Sequence, residues 1–202
     1  MDHPAAARAF SSVKAPSQRL ERDRSLLAVI DLQAKLTPQI ADADALLERV
    51  RALVAAARRL DIPIIATEHC AERLGPLVDP VDTMLAPHER FAKTRFAATD
   101  HAPFASMVAR TARTQVVVAG VEAHVCVMQT SLGLLASGYD VYVVGDAVGS
   151  RAPRQADREY ALSRMARAGC SIAGTETLLF EWAGGGDDPA FRDMLALVKA
   201  LP

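Results

Sequence analysis

The side chains of this chain that could do chemistry fall at the ends of its apolar runs. Asp31 closes the first run, Ser25-Leu-Leu-Ala-Val-Ile-Asp31. Glu68 and His69 follow the second, Ile62-Pro-Ile-Ile-Ala-Thr67, and Lys93 opens the short stretch Lys93-Thr-Arg-Phe96. Glu122, His124 and Cys126 follow Gln115-Val-Val-Val-Ala-Gly120, and Asp146 follows Asp140-Val-Tyr-Val-Val-Gly145. Cys126 stands out because it falls in the first turn of a helix expected over 125–137. Unpaired N–H groups and the positive end of the helix dipole favour a thiolate there. The same N–H groups can form an oxyanion hole. With a lysine to stabilise the thiolate and a carboxylate to move protons, such a cysteine is a nucleophile. A buried cysteine acting as a small hydrophobe is nevertheless the commoner situation, so the thiol alone decides nothing.

The elements that must position these groups are legible in the hydrophobic pattern. The apolar runs read as strands buried on both faces. Leu46, Leu47, Val50, Leu53, Val54, Ala57 and Leu60 recur at helical spacing, which predicts an amphipathic helix capped near Asp42 or Asp44. Further helices are expected over 104–112, over 125–137 before Gly138, and over 153–168 between Pro153 and Gly169. A short strand over 171–174 and helical pieces over 177–182 and 189–200 complete the order. Residues 68–91 show no period and contain Gly75, Pro76, Pro80 and Pro87; so long an irregular segment is more often functional than a mere connector. Strands alternating with helices predict a three-layer α/β/α domain with a mainly parallel sheet. Ligands bind such sheets at the carboxyl ends of the strands, which is where the reactive residues lie. The domain is expected over 25–202, behind a flexible N-terminal tail over 1–24 that mixes prolines, serines, arginines and acids.

Composition narrows the function. The chain has 202 residues, 23 basic and 24 acidic side chains and a net charge of −1. That balance argues against nucleic acid and against a polybasic membrane surface, both of which need a cationic excess. No apolar run is long enough to span a bilayer, and no signal peptide is visible. The three cysteines, Cys70, Cys126 and Cys170, form no CxxC pair, which excludes a disulfide-rich scaffold and a zinc ribbon. Free thiols imply a reducing compartment, and cytoplasmic residence is expected.

Asp31-Leu-Gln33, Lys93-Thr-Arg-Phe96 and Gly120-Val-Glu-Ala-His-Val-Cys-Val-Met-Gln-Thr130 together resemble the isochorismatase-like cysteine hydrolases. Gly145-Asp-Ala-Val-Gly-Ser-Arg151 and Thr175-Glu-Thr-Leu-Leu-Phe-Glu181 extend the likeness, which is greatest to the isochorismatase domain-containing proteins. The resemblance implies a triad of Asp31, Lys93 and Cys126. Asp31 would be the general base, Lys93 a fixed positive charge and Cys126 the nucleophile that forms an acyl-thioester. It also implies a cis peptide at Val121–Glu122 and an oxyanion hole from the backbone N–H groups of Glu122 and Cys126. The substrate pocket is expected to draw on Gln33, His69, Leu74, Phe91, Phe96, Val121 and Glu122. A homo-oligomer acting on a small molecule is implied as well.

Departures from the family pattern sharpen the expectation. Metal-holding members carry an aspartate and histidines after the second strand, whereas Thr67-Glu-His-Cys-Ala-Glu72 supplies only His69. No metal and no cofactor are therefore expected. Members that hydrolyse the isochorismate vinyl ether generally lack the cysteine, so Cys126 points to the amide-cleaving branch. The alternatives are a vinyl ether hydrolase, a non-catalytic protein of the same fold that binds a metabolite or partner, and a redox-sensing thiol. His124, two residues from Cys126, cannot share its helix face and reads as a hydrogen-bonded structural or interface histidine. Asp146, Ser150 and Arg151 read as a turn network and Cys170 as core. Cys70 reads as a bystander near the pocket. Glu122 could either face the pocket or pair with a buried base.

Overall fold

The computed structural model describes residues 19–202. Its centre is a six-stranded sheet of β1 (Ser25–Ile30), β2 (Ile64–His69), β3 (Arg90–Lys93), β4 (Gln115–Val121), β5 (Asp140–Gly149) and β6 (Ser171–Ala173). The order is β3-β2-β1-β4-β5-β6 and every pairing is parallel. The chain leaves β1 in one direction to build β2 and β3, then returns to its other side for β4, β5 and β6. The crevice beyond the carboxyl ends of β1 and β4 is thus a topological switch point, where open α/β sheets bind ligands.

Helices cover both faces, as the alternating pattern predicts. The helices are α1 (Ala43–Arg59), α2 (Ala71–Leu74), α3 (Asp79–Asp82), α4 (Ala102–Arg110), α5 (Met128–Ala136), α6 (Gln155–Ala168), α7 (Thr175–Ala183) and α8 (Phe191–Lys199). Successive strand residues point to opposite faces. Leu27 and Val29 of β1, with Val117, Ala119 and Val121 of β4, pack with residues of α1, α7 and α8. Leu26, Ala28 and Ile30, with Val116 and Val118, pack with residues of α4, α5 and α6. Val121 is fully buried in the first of these cores, so its side chain belongs to packing and not to a substrate pocket.

Several boundaries differ from the sequence expectation. Of the expected tail, residues 1–18 lie outside the described residues. Leu20 is buried in the core and Arg22–Arg24 form a 3-10 turn, so packed structure precedes Ser25. Asp42 stands at the start of α1 in the left-handed region, but its side chain makes no capping bond. β3 ends at Lys93, where an extended 93–96 was expected, because the carbonyls of Arg95 and Phe96 fold back onto the Lys93 ammonium. β5 runs on past Gly145: β4 advances from Val118 to Gly120 while β5 advances from Val143 to Val148. Asp146 sits on this irregularity and accepts from the N–H and hydroxyl of Thr175, which starts α7. The 68–91 segment is not structureless. It holds α2, α3 and a 3-10 turn at Pro87–Glu89, and is tied down by Leu77 N–H on Glu68 and Arg58 on Glu89.

One glycine is dictated by close approach. Gly120 has φ +118°, and a Cβ there would lie 2.1 Å from the carbonyl oxygen of Ile30. No L side chain fits where β4 passes β1 just before the nucleophile segment.

Candidate active site

The carboxyl ends of β1, β3 and β4 bring Asp31, Lys93 and Cys126 together. Asp31 follows β1 directly, with φ +50°, a left-handed conformation that aspartate tolerates better than most residues. Lys93 is the last residue of β3. Cys126 lies in a π-helical turn, Ala123–Val127, that leads into α5. An α-helix starting at Val125 was expected; the wider turn starts earlier, and such turns recur at functional sites. The Val121–Glu122 peptide immediately ahead is cis, as the resemblance implies.

Asp31 and Lys93 form a fully buried ion pair, with Nζ 2.7 Å from Oδ2. Burial of two charges is compensated only when their remaining hydrogen-bonding capacity is met. Here it is met. Asp31 Oδ1 accepts from the Thr67 hydroxyl at 2.6 Å. Lys93 Nζ also donates to the carbonyls of Arg95 and Phe96, both at 3.3 Å. An ammonium has three donors, and all three are used. Lys93 is thus held as a fixed positive charge between Asp31, the two loop carbonyls and Cys126.

Cys126 is 5% exposed. Burial pushes its thiol up to about 12, the Asp31 carboxylate adds to the rise, and Lys93 opposes it. Desolvation and the Asp31 carboxylate thus work against the thiolate that a helix start was expected to favour, and Lys93 works for it. The resting site holds a thiol beside an ion pair.

A cavity of about 300 Å3 opens over Cys126. Of the expected pocket residues, His69, Leu74, Phe96 and Glu122 line it. Gln33 does not. It is fully buried, donates to the Gly75 carbonyl and accepts from His69 N–H, so it braces the pocket wall from behind. Phe91 is partly buried against the core, packed on Phe104 and the His101 ring, also off the cavity. Val121 is core, as noted. Leu36, Gln39, Val125 and Arg151 line the cavity without having been expected there. Leu36 and Gln39 follow the β1 end that carries Asp31, and Val125 adjoins Cys126, so proximity to strand ends was their signal in the sequence.

Glu122 both faces the cavity and pairs with a base. Its Oε2 accepts from Arg151 Nε at 3.0 Å and from Arg151 N–H at 3.1 Å. Arg151 thus belongs to the cavity as well as to a turn. His69 is held below its ordinary value, chiefly by desolvation and then by Lys93, so it meets a ligand as a neutral ring. His124 Nδ1 pairs with the Ser150 hydroxyl at 2.9 Å, the structural role read from its spacing. Cys70 Sγ lies 3.6 Å from His69 Nε2, beside the cavity and not lining it. Cys170 is core, its thiol raised by burial to about 11.

A doubly wound α/β domain with an acid, a lysine and a thiol at its switch point is the class that fold and site define together. The isochorismatase-domain family model matches residues 25–177. The chain belongs to the isochorismatase family, and its fold is that family's hydrolase fold. Isochorismatase domain-containing protein 1 of Salmo salar is 34% identical over 170 residues, which is 84% of this chain and 59% of that protein. The chain thus spans about three-fifths of that relative's length. Among solved structures, the MAR1 ribonuclease of Caenorhabditis elegans superposes with a TM-score of 0.84 at 35% identity, covering 92% of this chain and 95% of that one. The ycaC gene product of Escherichia coli, described as an octameric hydrolase of unknown specificity, gives 0.82 at 26% identity, covering 93% and 91%.

Proposed function

We propose that this protein is a metal-free cysteine hydrolase that cleaves a small amide or related C–N bond through an acyl-thioester on Cys126. The observation that carries the reading is the buried Asp31–Lys93 pair beside a cavity-lining thiol. Each Asp31 oxygen keeps a lone pair after its bonds to Thr67 and Lys93, so the carboxylate can still accept a proton. Because Cys126 rests as a thiol, its proton passes to Asp31 as sulfur attacks the carbonyl carbon. The C=O electron pair moves onto oxygen, where the N–H groups of Glu122 and Cys126 are the proposed donors. Collapse expels the amine, which takes the proton from Asp31. Water then attacks the thioester, Asp31 accepts its proton, and collapse returns that proton to the departing sulfur. The balance is amide plus water to acid plus amine. Lys93 holds Asp31 in place and offsets the charge that develops on sulfur.

The donor set at the end of β2 and just beyond it supports a metal-free reading. Glu68 turns its carboxylate to Leu77 N–H, and His69 alone of Glu68, His69 and Glu72 lines the cavity. Leu36, Leu74, Phe96 and Val125 supply an apolar wall for the substrate body, with Arg151 and Glu122 as polar groups. A cavity of this size suits a small molecule, and neither it nor the net charge offers the basic track that a polynucleotide needs. The octameric neighbour and the half-exposed Phe96 at the cavity support a homo-oligomer. Three free thiols support residence in a reducing compartment such as the cytoplasm.

A panel of small amides, with RNA as a control substrate, tests the reading. Wild type releases amine from at least one amide, and Cys126→Ala lowers that rate by at least about 1,000-fold. Undiminished turnover in Cys126→Ala, or cleavage of RNA alone, contradicts it.

A further inference from the structure

The loop after β3 holds the Lys93 ammonium, and something must hold the loop. Lys93 Nζ takes the carbonyls of Arg95 and Phe96. The N–H groups of Thr94 and Arg95 in the same loop converge on one atom, Nε2 of His101, at 3.4 and 3.2 Å. An atom that accepts two N–H bonds carries no proton. The ring is therefore neutral, with its proton on Nδ1. Phe91 packs edge-on against it at 5.7 Å and holds its orientation. His101 is itself anchored as the first residue ahead of α4, with its N–H on the Ala98 carbonyl and its carbonyl on Ala105 N–H.

We propose that His101 is a positioning residue for Lys93: by gathering the Thr94 and Arg95 N–H groups on Nε2, it sets the Arg95 and Phe96 carbonyls that fix the ammonium beside Asp31. Protonation of His101 places a third N–H against two others, and the loop must then turn away from it. Lys93 and Arg95 flank the loop, Asp100 precedes the ring in the chain, and His69 on β2 lies within electrostatic reach. The catalytic consequence rests on the hydrolase reading above; the tautomer and the loop contact do not.

Two variants separate the acceptor from the ring. Gln places an oxygen near the position of Nε2 and does not titrate, whereas Phe keeps the ring without an acceptor. With an amide that wild type turns over, His101→Phe lowers kcat by about tenfold or more with KM within about twofold. His101→Gln keeps kcat within about threefold. Equal loss in Gln and Phe, or wild-type kcat in Phe, overturns the proposal. Imidazole 15N spectra of the full chain give an arm free of any substrate. They show a bare Nε2 on His101 at neutral pH, and the Thr94 and Arg95 amide signals move in His101→Phe and stay near wild type in His101→Gln. A proton on Nε2 at neutral pH overturns the proposal, whereas absence of turnover on every amide overturns only the hydrolase reading.

Discussion

At the scale of the residue, Cys126 and Asp31 are set against each other in the resting site. Burial and the Asp31 carboxylate both disfavour the thiolate, and Lys93 favours it. Alkylation of Cys126 by iodoacetamide therefore rises roughly tenfold per pH unit from neutrality to about pH 10, with no plateau at neutral pH. Asp31→Asn removes a charge that raises the thiol and leaves the thiolate as the natural partner of Lys93. That variant alkylates faster than wild type at neutral pH while losing amide turnover. Slower alkylation in Asp31→Asn, or retained turnover, shows that Asp31 is not the base. The triad positions are legible in the sequence because each falls where an apolar run ends. The protonation state of Cys126 is not, because it depends on desolvation by residues from distant elements. For the same reason Arg151 reads as a turn residue until the chain after β5 folds back onto Glu122, and Gln33 reads as a pocket residue until its amide is seen bracing Gly75 and His69.

At the scale of the element, the nucleophile depends on how closely β4 runs beside β1. Gly120 has no room for a Cβ, which would lie 2.1 Å from the Ile30 oxygen and 2.7 Å from its nitrogen, both backbone atoms that cannot rotate away. Gly120→Ala is expected to destabilise the fold by more than about 4 kcal/mol and to yield insoluble or molten protein. A cooperative wild-type melt in that variant contradicts the close approach. The order of the longer strands and helices follows from periodicity, because residues such as Val117 and Val118 must find apolar partners on opposite faces. Local pattern carries less about where elements end. The π-helical turn before α5 closes on the Glu122 carbonyl, and the run of β5 past Gly145 is set by its pairing with β4 and by the Asp146 carboxylate that holds Thr175. The 68–91 segment shows the same limit: its short helices are fixed by Glu68 and Glu89, each bonded to groups remote in sequence or across a turn.

At the scale of the whole molecule, the buried thiols make stability fall in alkali. Cys126 and Cys170 are raised from 9.0 to about 12 and about 11, and Tyr142 is raised by burial as well. A folded-state value above the unfolded one means that the unfolded chain loses its proton first. The contribution is full below about pH 9 and is lost as pH rises through the folded values. Urea unfolding at about pH 8.5 and about pH 10.5 should show this fall, with a smaller fall in Cys126→Ala/Cys170→Ala. A loss of equal size in the double variant would assign it to other groups. The central claim, that the assembled chain works through an acyl-thioester, is tested most directly by rapid-quench mass spectrometry during turnover of a small amide. The intact mass should rise by the acyl group without its amine, the adduct should map to the peptide containing Cys126, and neither should occur in Cys126→Ala. Turnover with the acyl group absent from Cys126, at an undiminished rate in Cys126→Ala, would contradict the account.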